Sequence, residues 1–425
     1  MGGQEPRREP EGRLVKVTAC RVCGAAPLYE ALDYGRQALA NAYLRDTSAI
    51  PEEPTFPMTL CLCEACGYVQ INEEVSPEVL FRNYLYVTGV SEAVQHHGRR
   101  LVDLVARVIG ASDKAQPRIL EAASNDGTIL AAFQRQGWQV LGIDPAENVA
   151  AIANARGIRT IPDFFSVKSA DRATQRGGRV DIFLARHVIA HVVALHDFVE
   201  AIPVVLRDDG VAVIECSHVL PLYEGLQYDQ VYHEHLGYFS VTVLRRLLAM
   251  HGLDLFAVEE VDMHGGSIVV FAQKNGGARP HHESVERLVR KEAGSGLVAR
   301  KAWTEFARRA EQQRAALIAE LRALKQQGKK IAAYGAAAKG QVMLQFCRID
   351  GALIDFVVDK SELKQGRLTP GTHLPILSPE ALLARQPDVL LLCSWNYAEE
   401  IRRQQKAYLE RGGRLLHPLP LPHYL

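Results

Sequence analysis

Residues 118–127 read RILEAASNDG, a short apolar run that passes into a turn of small residues. The pattern predicts a strand over Arg118–Glu121 and a helix over Thr128–Gln136, which ends at Gly137. The apolar run that follows predicts a second strand, which closes on Asp144. Strand, turn, helix and strand in this order form the first βαβ unit of a doubly wound α/β fold.

The same unit predicts a cofactor site. Small residues at the turn let backbone approach a ligand closely, and an acid at the end of the second strand can bind ribose hydroxyls. Glu121 and Asp144 are 23 positions apart, near the spacing of about 20 in nucleotide-binding units. Ala122 and Ala123 replace the glycines of dinucleotide-binding enzymes. An acid that closes the first strand is instead typical of enzymes that bind S-adenosylmethionine (SAM), and a purely structural unit is the alternative.

Further apolar runs predict a second α/β domain. Five more strands are predicted, at residues 180–185, 210–215, 267–271, 388–393 and 414–417. The stretch 118–275 is then long enough for a seven-stranded sheet, and the charged, alanine-rich stretch 281–327 predicts two bridging helices. Residues 330–359 repeat strand, turn, helix and strand, with Lys339 at the helix start. A helix N-terminus with a lysine is a candidate anion site, and a vestigial turn is the alternative.

Length and composition bound the protein class. The chain has 425 residues, two to three domains at roughly 150 residues each. Its 48 % hydrophobic and 23 % charged residues match soluble globular proteins. Lys plus Arg and Asp plus Glu both number 49, so no general attraction to nucleic acid or an anionic membrane is expected. Residues 1–16 are expected to be a flexible tail without a signal peptide, and we expect a cytoplasmic monomer without membrane helices.

The cysteines predict a metal site near the N-terminus. Cys20 and Cys23 form one C-x-x-C pair, and Cys63 and Cys66 form a second. Two such turns can present four thiolates to one zinc ion in a closed, structural site. Cys61 belongs to neither pair and is expected to be a spectator. A redox C-x-x-C is the alternative, and the scarcity of Lys and Arg around the pairs argues against nucleic-acid binding.

Residues 232–235 read YHEH and lie on or beside a loop between a predicted strand and a predicted helix. Histidine is the natural general base at pH 7, so this cluster is a candidate for catalysis. If the segment is extended, Tyr232 and Glu234 face one way and His233 and His235 the other. An exposed polar loop is the alternative, and a metal site is disfavoured because zincin ligands need helical spacing.

Other polar residues are expected to converge on this cluster. The carboxyl edge of the sheet is where ligands bind in such folds, and glycine pairs permit close approach. The candidates are His187 and His191 beyond a predicted strand, the aromatic residues Tyr84 and Tyr86, and His264 and Ser267 beside two glycines. Each of them can also be an ordinary surface group.

Together the motifs resemble those of one family over nearly the whole chain from Thr18. In order they are CRVCG, CEACG, EAASNDG, GIDP, VIAHV, YHEHLGYFS, HGGS, AYGAAAKG and VVDKSELKQGRLTPGTHLPI. They are similar to the zinc-containing, SAM-dependent sugar C-methyltransferases, which act on nucleotide-linked keto-deoxysugars. The resemblance implies an α/β chain with a tail at 1–16, a four-cysteine zinc-binding domain at 17–85, a Rossmann-like SAM methyltransferase domain at 86–280, a helical bridge at 281–327 and a Rossmann-like α/β domain at 328–425.

The resemblance also implies a reaction in deoxysugar and antibiotic biosynthesis. Carbon 3 of a dTDP-linked 4-keto-6-deoxysugar loses a proton, and the enolate takes the methyl group of SAM. His235 resembles the family's base, and the residues that resemble its sugar-orienting or enolate-stabilising groups are Tyr232, Glu234, His191 and Tyr86. The residues expected to bind SAM are Glu121, Ala123, Asn125, Asp126, Gly127, Asp144, Pro145, Asp163, Phe164 and His187. Those expected to bind the nucleotide sugar are Tyr84, His264, Ser267 and Lys339.

Three other interpretations stay open. His233 stands where close relatives can carry Asp, which leaves carbon 5 or another keto sugar nucleotide as the acceptor. A nicotinamide-dependent sugar-nucleotide oxidoreductase is a different class, although neither half of the chain has the phosphate-binding glycine triplet. A non-catalytic zinc adaptor is the third, and it would leave the YHEH residues without a role.

Overall fold

The computed structural model describes residues 14–76, 80, 92–109 and 116–425. The predicted site residues Tyr84 and Tyr86 lie outside these ranges. Within them, no helix combines the length and the apolar character that a bilayer crossing requires.

The N-terminal part is a small antiparallel β-structure. Its strands are β1 Leu14–Lys16, β2 Tyr29–Ala38, β3 Thr55–Leu62, β4 Val69–Ile71 and β5 Glu73–Val75, with a 3-10 helix at Thr47–Glu52. β2, β3 and β4 pair in sequence, and β1 pairs with β5. β3 turns Phe56, Met58 and Leu60 inward at alternate positions, as a strand with one covered face requires.

The central part alternates helices and strands. Its elements are α1 Glu92–Ile109, β6 Arg118–Ala122, α2 Thr128–Arg135, β7 Gln139–Ile143, α3 Glu147–Ala155, β8 Thr160–Ile161, α4 Val167–Gly177, β9 Val180–Arg186, α5 Leu195–Val205, β10 Leu206–Ser217, α6 Val219–Glu224, β11 Gly237–Tyr238, α7 Val241–Met250, β12 Leu253–Val261 and β13 Ser267–Lys274. Two 3-10 helices lie at Ile189–His191 and Tyr228–Gln230.

Seven of these strands form one sheet in the order β12-β13-β10-β9-β6-β7-β8. The strands from β6 to β10 are parallel, whereas β13 runs antiparallel to both β10 and β12. The chain order reverses between β6 and β9, and ligands of open α/β sheets bind in the crevice at such a point. The predicted seven-stranded sheet is confirmed, although β8 and β12 do not lie on predicted runs.

The C-terminal part is a second α/β sheet. Its elements are α8 Glu283–Ser295, α9 Arg300–Gln326, β14 Ile331–Tyr334, α10 Ala338–Phe346, β15 Phe356–Val358, β16 Ile376–Leu377, α11 Ala381–Arg385, β17 Val389–Leu392, α12 Ala398–Gln404, α13 Lys406–Glu410, β18 Arg414–His417 and β19 His423–Tyr424, with a 3-10 helix at Trp395–Tyr397. The strand order is β16-β15-β14-β17-β18-β19, parallel except for β19.

The three parts share interior packing. One hydrophobic cluster includes Leu60 of β3, Leu220 of α6 and Ile331 of β14. In addition, β11 pairs antiparallel with β4, so a segment of the central part completes the N-terminal sheet. Since β11 follows the YHEH residues directly, this pairing fixes the position of the candidate catalytic segment.

Candidate active site and zinc centre

The four cysteines of the two C-x-x-C pairs meet at one point. Their Sγ atoms all lie within 4.8 Å of one another. Cys20 Sγ is 3.6 Å from Cys66 Sγ, and Cys23 Sγ is 3.5 Å from Cys63 Sγ. Tetrahedral zinc, with Zn–S bonds of about 2.3 Å, places its sulfur ligands about 3.8 Å apart. The four thiols therefore fit a closed zinc centre.

Each C-x-x-C turn closes at a glycine. The N–H of Gly24 donates to the Cys20 carbonyl at 2.9 Å, and that of Gly67 donates to the Cys63 carbonyl at 2.8 Å. Both glycines have a positive φ, of 72° and 77°, which other residues adopt at a cost. Cys61 is buried nearby but lies outside the cluster of four, as expected.

The predicted cofactor turn lies at the carboxyl end of β6. Ala123, Asn125 and Gly127 are left-handed, with φ of 54°, 51° and 74°. Asp144, at the end of β7, accepts the N–H groups of Asn125 at 2.8 Å and Ala146 at 2.9 Å. These two bonds hold the turn beside the second strand, with small residues facing the crevice.

Other predicted cofactor residues fall into two groups. The N–H of Asp163 donates to the Asp144 carbonyl at 3.2 Å, which brings Asp163 and the exposed ring of Phe164 to the same edge as Pro145. Asp126 differs, because its buried carboxylate lies 2.7 Å from Arg156 Nη1 and accepts the N–H of Thr128. These contacts favour a structural role for Asp126 rather than the predicted contact with the cofactor.

Buried charges lie at the carboxyl ends of three neighbouring strands. Glu215 Oε2 is 3.0 Å from Arg186 Nε, and Glu215 Oε1 is 2.8 Å from His97 Nε2 and 3.2 Å from His187 Nε2. Burial alone would raise the pKa of Glu215, but Arg186 and His187 hold that pKa well below its usual value. Glu215 is therefore an anion, and its contacts hold His97 of α1, Arg186 of β9 and His187 close together.

Glu121 lies at the same edge, but its carboxylate has a more distant positive charge beside it than Glu215 has. Burial raises the pKa of its carboxyl to about 8, against the opposing effect of Arg186. Its buried Oε2 has no hydrogen-bond partner among the described residues. A buried acceptor of this kind, beside a turn of small residues, fits a cationic ligand such as SAM.

The YHEH segment is a turn and not an extended strand. The N–H of His235 donates to the Tyr232 carbonyl at 2.8 Å. Their side chains therefore meet, with Tyr232 Oη 2.7 Å from His235 Nε2 and ring centroids 4.0 Å apart. The predicted alternation, with Tyr232 and His235 on opposite faces, is wrong because the chain turns between them.

The contacts of His235 determine where its proton lies. Nδ1 is 3.2 Å from the Gln230 carbonyl, which can only accept, so Nδ1 carries the hydrogen. Nε2 is then unprotonated and accepts a hydrogen bond from the Tyr232 hydroxyl. Burial, together with nearby His191, holds the pKa of His235 well below its usual value. The imidazole is neutral at pH 7 and can accept a proton.

His191 lies against this pair. Its ring centroid is 4.8 Å from that of His235, in an edge-to-face arrangement. Burial lowers the pKa of His191 to about 4, with a further contribution from His187. Both imidazoles are therefore neutral at pH 7.

The other two YHEH side chains point to the N-terminal part. His233 Nε2 lies 3.0 Å from the Pro57 carbonyl. Glu234 Oε1 accepts a hydrogen bond from Asn41 Nδ2 at 2.7 Å. Burial raises the pKa of Glu234 to about 7, and the bond from Asn41 opposes that shift. These contacts join the candidate catalytic segment to the zinc-binding part.

The predicted substrate residues are only partly brought together. The His264 ring lies 4.6 Å from the His187 ring, and Lys339 Nζ donates to the His264 carbonyl at 2.6 Å. Ser267 is 2 % exposed and its hydroxyl donates to the Met263 carbonyl at 2.9 Å. Since that proton is already bonded within the protein, the contacts of Ser267 favour a structural role over the predicted substrate contact.

Sequence reasoning missed five polar residues of this region, which are His97, Arg186, Glu215, Asn41 and Asp229, the last of which accepts the indole N–H of Trp395 at 2.6 Å. The available signal was a charged residue at the end of an apolar strand, because Glu215 closes a predicted run and Arg186 follows another. His97, Asn41 and Asp229 lie far along the chain from the residues that they contact, and no local pattern marks them.

Three family models match the chain in succession. A zinc binding domain matches residues 20–81, a methyltransferase domain matches 94–258, and a C-methyltransferase C-terminal domain matches 262–420. The C-methyltransferase NovU of Streptomyces niveus is 35 % identical over 409 residues, which cover 96 % of this chain and 97 % of NovU.

Two solved structures of lower identity match less than half of this chain. The YcgJ protein of Bacillus subtilis is 14 % identical, covers 43 % of this chain and 100 % of its own, and has a TM-score of 0.34. Magnesium protoporphyrin IX methyltransferase of Synechocystis, with bound S-adenosylhomocysteine (SAH), is 13 % identical, covers 43 % and 85 %, and has a TM-score of 0.35. The family models and the full-length match to NovU show that this chain belongs to the zinc-containing, SAM-dependent C-methyltransferase family.

Proposed function

We propose that the protein methylates carbon 3 of a dTDP-linked 4-keto-6-deoxysugar. The observation that carries the proposal is the neutral His235, whose unprotonated ring nitrogen accepts a hydrogen bond from the Tyr232 hydroxyl. A carbon becomes nucleophilic only after it loses a proton, and a neighbouring ketone makes that proton acidic. The pair supplies both a base and a donor for the carbonyl oxygen.

His235 Nε2 takes the proton from the sugar carbon. The C–H bond breaks, and its electron pair moves onto the ketone oxygen to give an enolate. The Nδ1–H bond to the Gln230 carbonyl keeps the imidazole in the tautomer that can accept. Tyr232, which donates to Nε2 before substrate arrives, is then available to donate to the enolate oxygen.

The remaining residues hold the reactants. SAM, when bound, supplies the electrophilic methyl group that the enolate carbon takes, and its thioether is the leaving group. Glu121 and Asp144 are expected to contact the cofactor's cationic and ribose groups, and His191 to keep His235 neutral. Tyr86 is a proposed sugar contact from the resemblance and Tyr84 from the sequence pattern, since both lie outside the described residues.

Solvent-deuterium exchange tests the base without methyl transfer. The keto sugar is incubated in D2O with the enzyme and no SAM, and deuterium at the sugar carbon is read by NMR. We expect His235→Asn to abolish exchange and turnover but to retain SAH affinity. His233→Asn is the matched control, because that imidazole faces the Pro57 carbonyl instead. Exchange that persists in His235→Asn would show that another group is the base.

A substrate screen tests the sugar and the methylated carbon. A panel of dTDP-4-keto sugars is incubated with SAM, and mass spectrometry detects the gain of one methyl group, which NMR then locates. Methylation at carbon 3 is expected. A methyl group at carbon 5 would correct the position but keep the chemistry. Calorimetry with SAH and NADH distinguishes the oxidoreductase, since tight NADH binding without SAH binding would contradict the proposal.

A further inference from the structure

Lys339 is held by protein groups on both sides of a domain boundary. It lies in the first turn of α10 in the C-terminal part, and its Nζ donates to the His264 carbonyl of the central part at 2.6 Å. The same ammonium lies 5.2 Å from the centroid of the Trp395 ring. A cation over an aromatic face and a charged hydrogen bond both favour this position.

Asp229 faces the same ammonium from the central part. It is fully buried, and its Oδ2 accepts the indole N–H of Trp395 at 2.6 Å. Its Oδ1 has no hydrogen-bond partner among the described residues. Lys339 is the positive charge that acts on this carboxylate, so the two parts are joined by opposite charges as well as by hydrogen bonds.

The loop that Lys339 contacts has an unfavourable backbone. His264, Gly265 and Gly266 are all left-handed, with φ of 54°, 92° and 116°. Histidine rarely adopts this region because its Cβ crowds the carbonyl oxygen. A Cβ at Gly265 would lie 2.8 Å from Gln227 Oε1, so only glycine allows this close approach. The conformation therefore depends on contacts from outside the loop.

The loop in turn presents a ring to the cofactor edge. The His264 ring meets the His187 ring edge to face, at 4.6 Å between centroids. His187 is itself left-handed, with φ of 48°, and its Nε2 lies 3.2 Å from Glu215. β9 pairs with β6 through Ala185 and Ala122, which places His187 beside the cofactor turn.

We infer that Lys339 is a positioning residue for the cofactor site: its bond to the His264 carbonyl holds the His264–Gly266 loop so that the His264 ring supports His187. The C-terminal part thus contributes to SAM binding through Lys339, although it supplies no cofactor turn of its own to that site. This role differs from the predicted direct contact between Lys339 and an anionic substrate. It concerns cofactor affinity, so it does not depend on which sugar the enzyme methylates.

Lys364 offers a matched control within the same domain. Its Nζ donates to the Ala336 carbonyl at 2.9 Å, lies 5.1 Å from the centroid of the Tyr43 ring and lies 3.9 Å from Asp359 Oδ2. Carbonyl, aromatic ring and carboxylate are thus the same three kinds of partner, but the carbonyl belongs to Ala336, in the turn before α10, and not to the His264 loop. Lys364→Met should cost similar stability and leave cofactor affinity unchanged.

The test uses the full-length zinc-loaded chain and SAH as the probe. Calorimetry gives the SAH dissociation constant, and hydrogen exchange reports the amides of residues 263–267. We expect Lys339→Met to weaken SAH binding about tenfold, as loss of one charged hydrogen bond implies, and to accelerate exchange in this loop. Lys339→Gln, which keeps an N–H donor, should show a smaller loss.

A double-mutant cycle distinguishes positioning from general stabilisation. If Lys339 acts through His264, Lys339→Met combined with His264→Ala should bind SAH no more weakly than His264→Ala alone. Additive losses would overturn the inference, as would an unchanged SAH affinity in Lys339→Met or an equal loss in Lys364→Met. Should Lys339→Met fail to fold, Lys339→Gln compared with Lys364→Gln decides by the same criteria.

Discussion

Oε1 of Glu121 lies 3.9 Å from Nη1 of Arg186, too far for a hydrogen bond but close enough for attraction. The arginine is committed to Glu215, whose Oε2 lies 3.0 Å from its Nε. Glu121 is therefore a buried acid with an incomplete counter-charge, and burial accordingly raises the pKa of its carboxyl to about 8. In the unfolded chain the pKa of a glutamate carboxyl is about 4.3. Between about pH 4.3 and pH 8, folding therefore disfavours the ionised form of Glu121.

Glu121→Gln is expected to stabilise the cofactor-free enzyme at high pH. Because the folded pKa is the higher one, the stability contributed by the neutral acid is present below about pH 4.3 and is lost as the pH rises through 8. The glutamine removes this loss. We expect its melting temperature to exceed the parent's by at least about 2–4 °C at pH 9, the shift that 1 kcal/mol produces, with no gain at pH 4.5, while SAH binds more weakly.

Exposed Glu283 provides the control for this pH dependence, since its side chain is 87 % exposed. Glu283→Gln should not raise the melting temperature at pH 9, because water already solvates that carboxylate. If Glu121→Gln melted at the same temperature as the parent at pH 9, the ionised Glu121 carboxylate would not destabilise the cofactor-free enzyme. It would then need no cationic ligand such as SAM.

Tyr232→Phe tests the hydroxyl that faces His235. The variant keeps the ring but removes the donor that lies 2.7 Å from Nε2. We expect kcat to fall by about a hundredfold to a thousandfold, as for removal of one donor to a developing oxyanion, with SAH affinity unchanged. Steady-state kinetics measure both effects. Equal kcat values in the variant and the parent would remove Tyr232 from the mechanism.

Tyr238→Phe is the matched control for that substitution. Its hydroxyl is buried in the same motif and lies 3.3 Å from the carbonyl oxygens of Gln230 and His235, so its bonds are to the backbone and not to His235 Nε2. Loss of this neutral bond should cost about 1 kcal/mol of stability and leave most of the turnover.

Cys63→Ser should release the zinc ion. Removal of one of four thiolates opens a closed site whose binding energy supports the fold. Metal analysis of the parent should give about one zinc per chain, and the variant should lose it and melt at a lower temperature. Cys61→Ser should retain the metal, because Cys61 lies outside the cluster. A folded, soluble and zinc-free parent chain would contradict the assignment.

Gly127→Ala should be more harmful than Gly137→Ala. Both glycines are left-handed, at φ of 74° and 84°, so each substitution carries a backbone cost of about 1–2 kcal/mol. A Cβ at Gly127 would also lie 2.9 Å from Ile158, whereas one at Gly137 would meet nothing within 4 Å. Overpacking adds about 1–3 kcal/mol at Gly127 only. Thermal melting of both variants checks the difference, and equal losses would refute the packing argument.

Features that depend on short spacings could be predicted from the sequence. The zinc ligands are two copies of a local motif, and the turn after β6 follows directly from an apolar run and small residues. Contacts between distant segments could not. Asn41 reaches Glu234 across 193 positions, and nothing in either neighbourhood specifies the pairing. The opposed faces expected for Tyr232 and His235 failed because periodicity assumes a straight strand, whereas a hydrogen-bonded turn reverses the chain.

The pairing of β11 with β4 has a consequence for engineering. Gly237 and Tyr238 complete a sheet whose other strands lie more than 160 positions earlier, as the partners Gln70 and Val69 show. An exchange of parts between relatives at the apparent domain borders would therefore cut through a hydrogen-bonded ladder. Functional hybrids should therefore be obtained only when β4 and β11 come from the same protein.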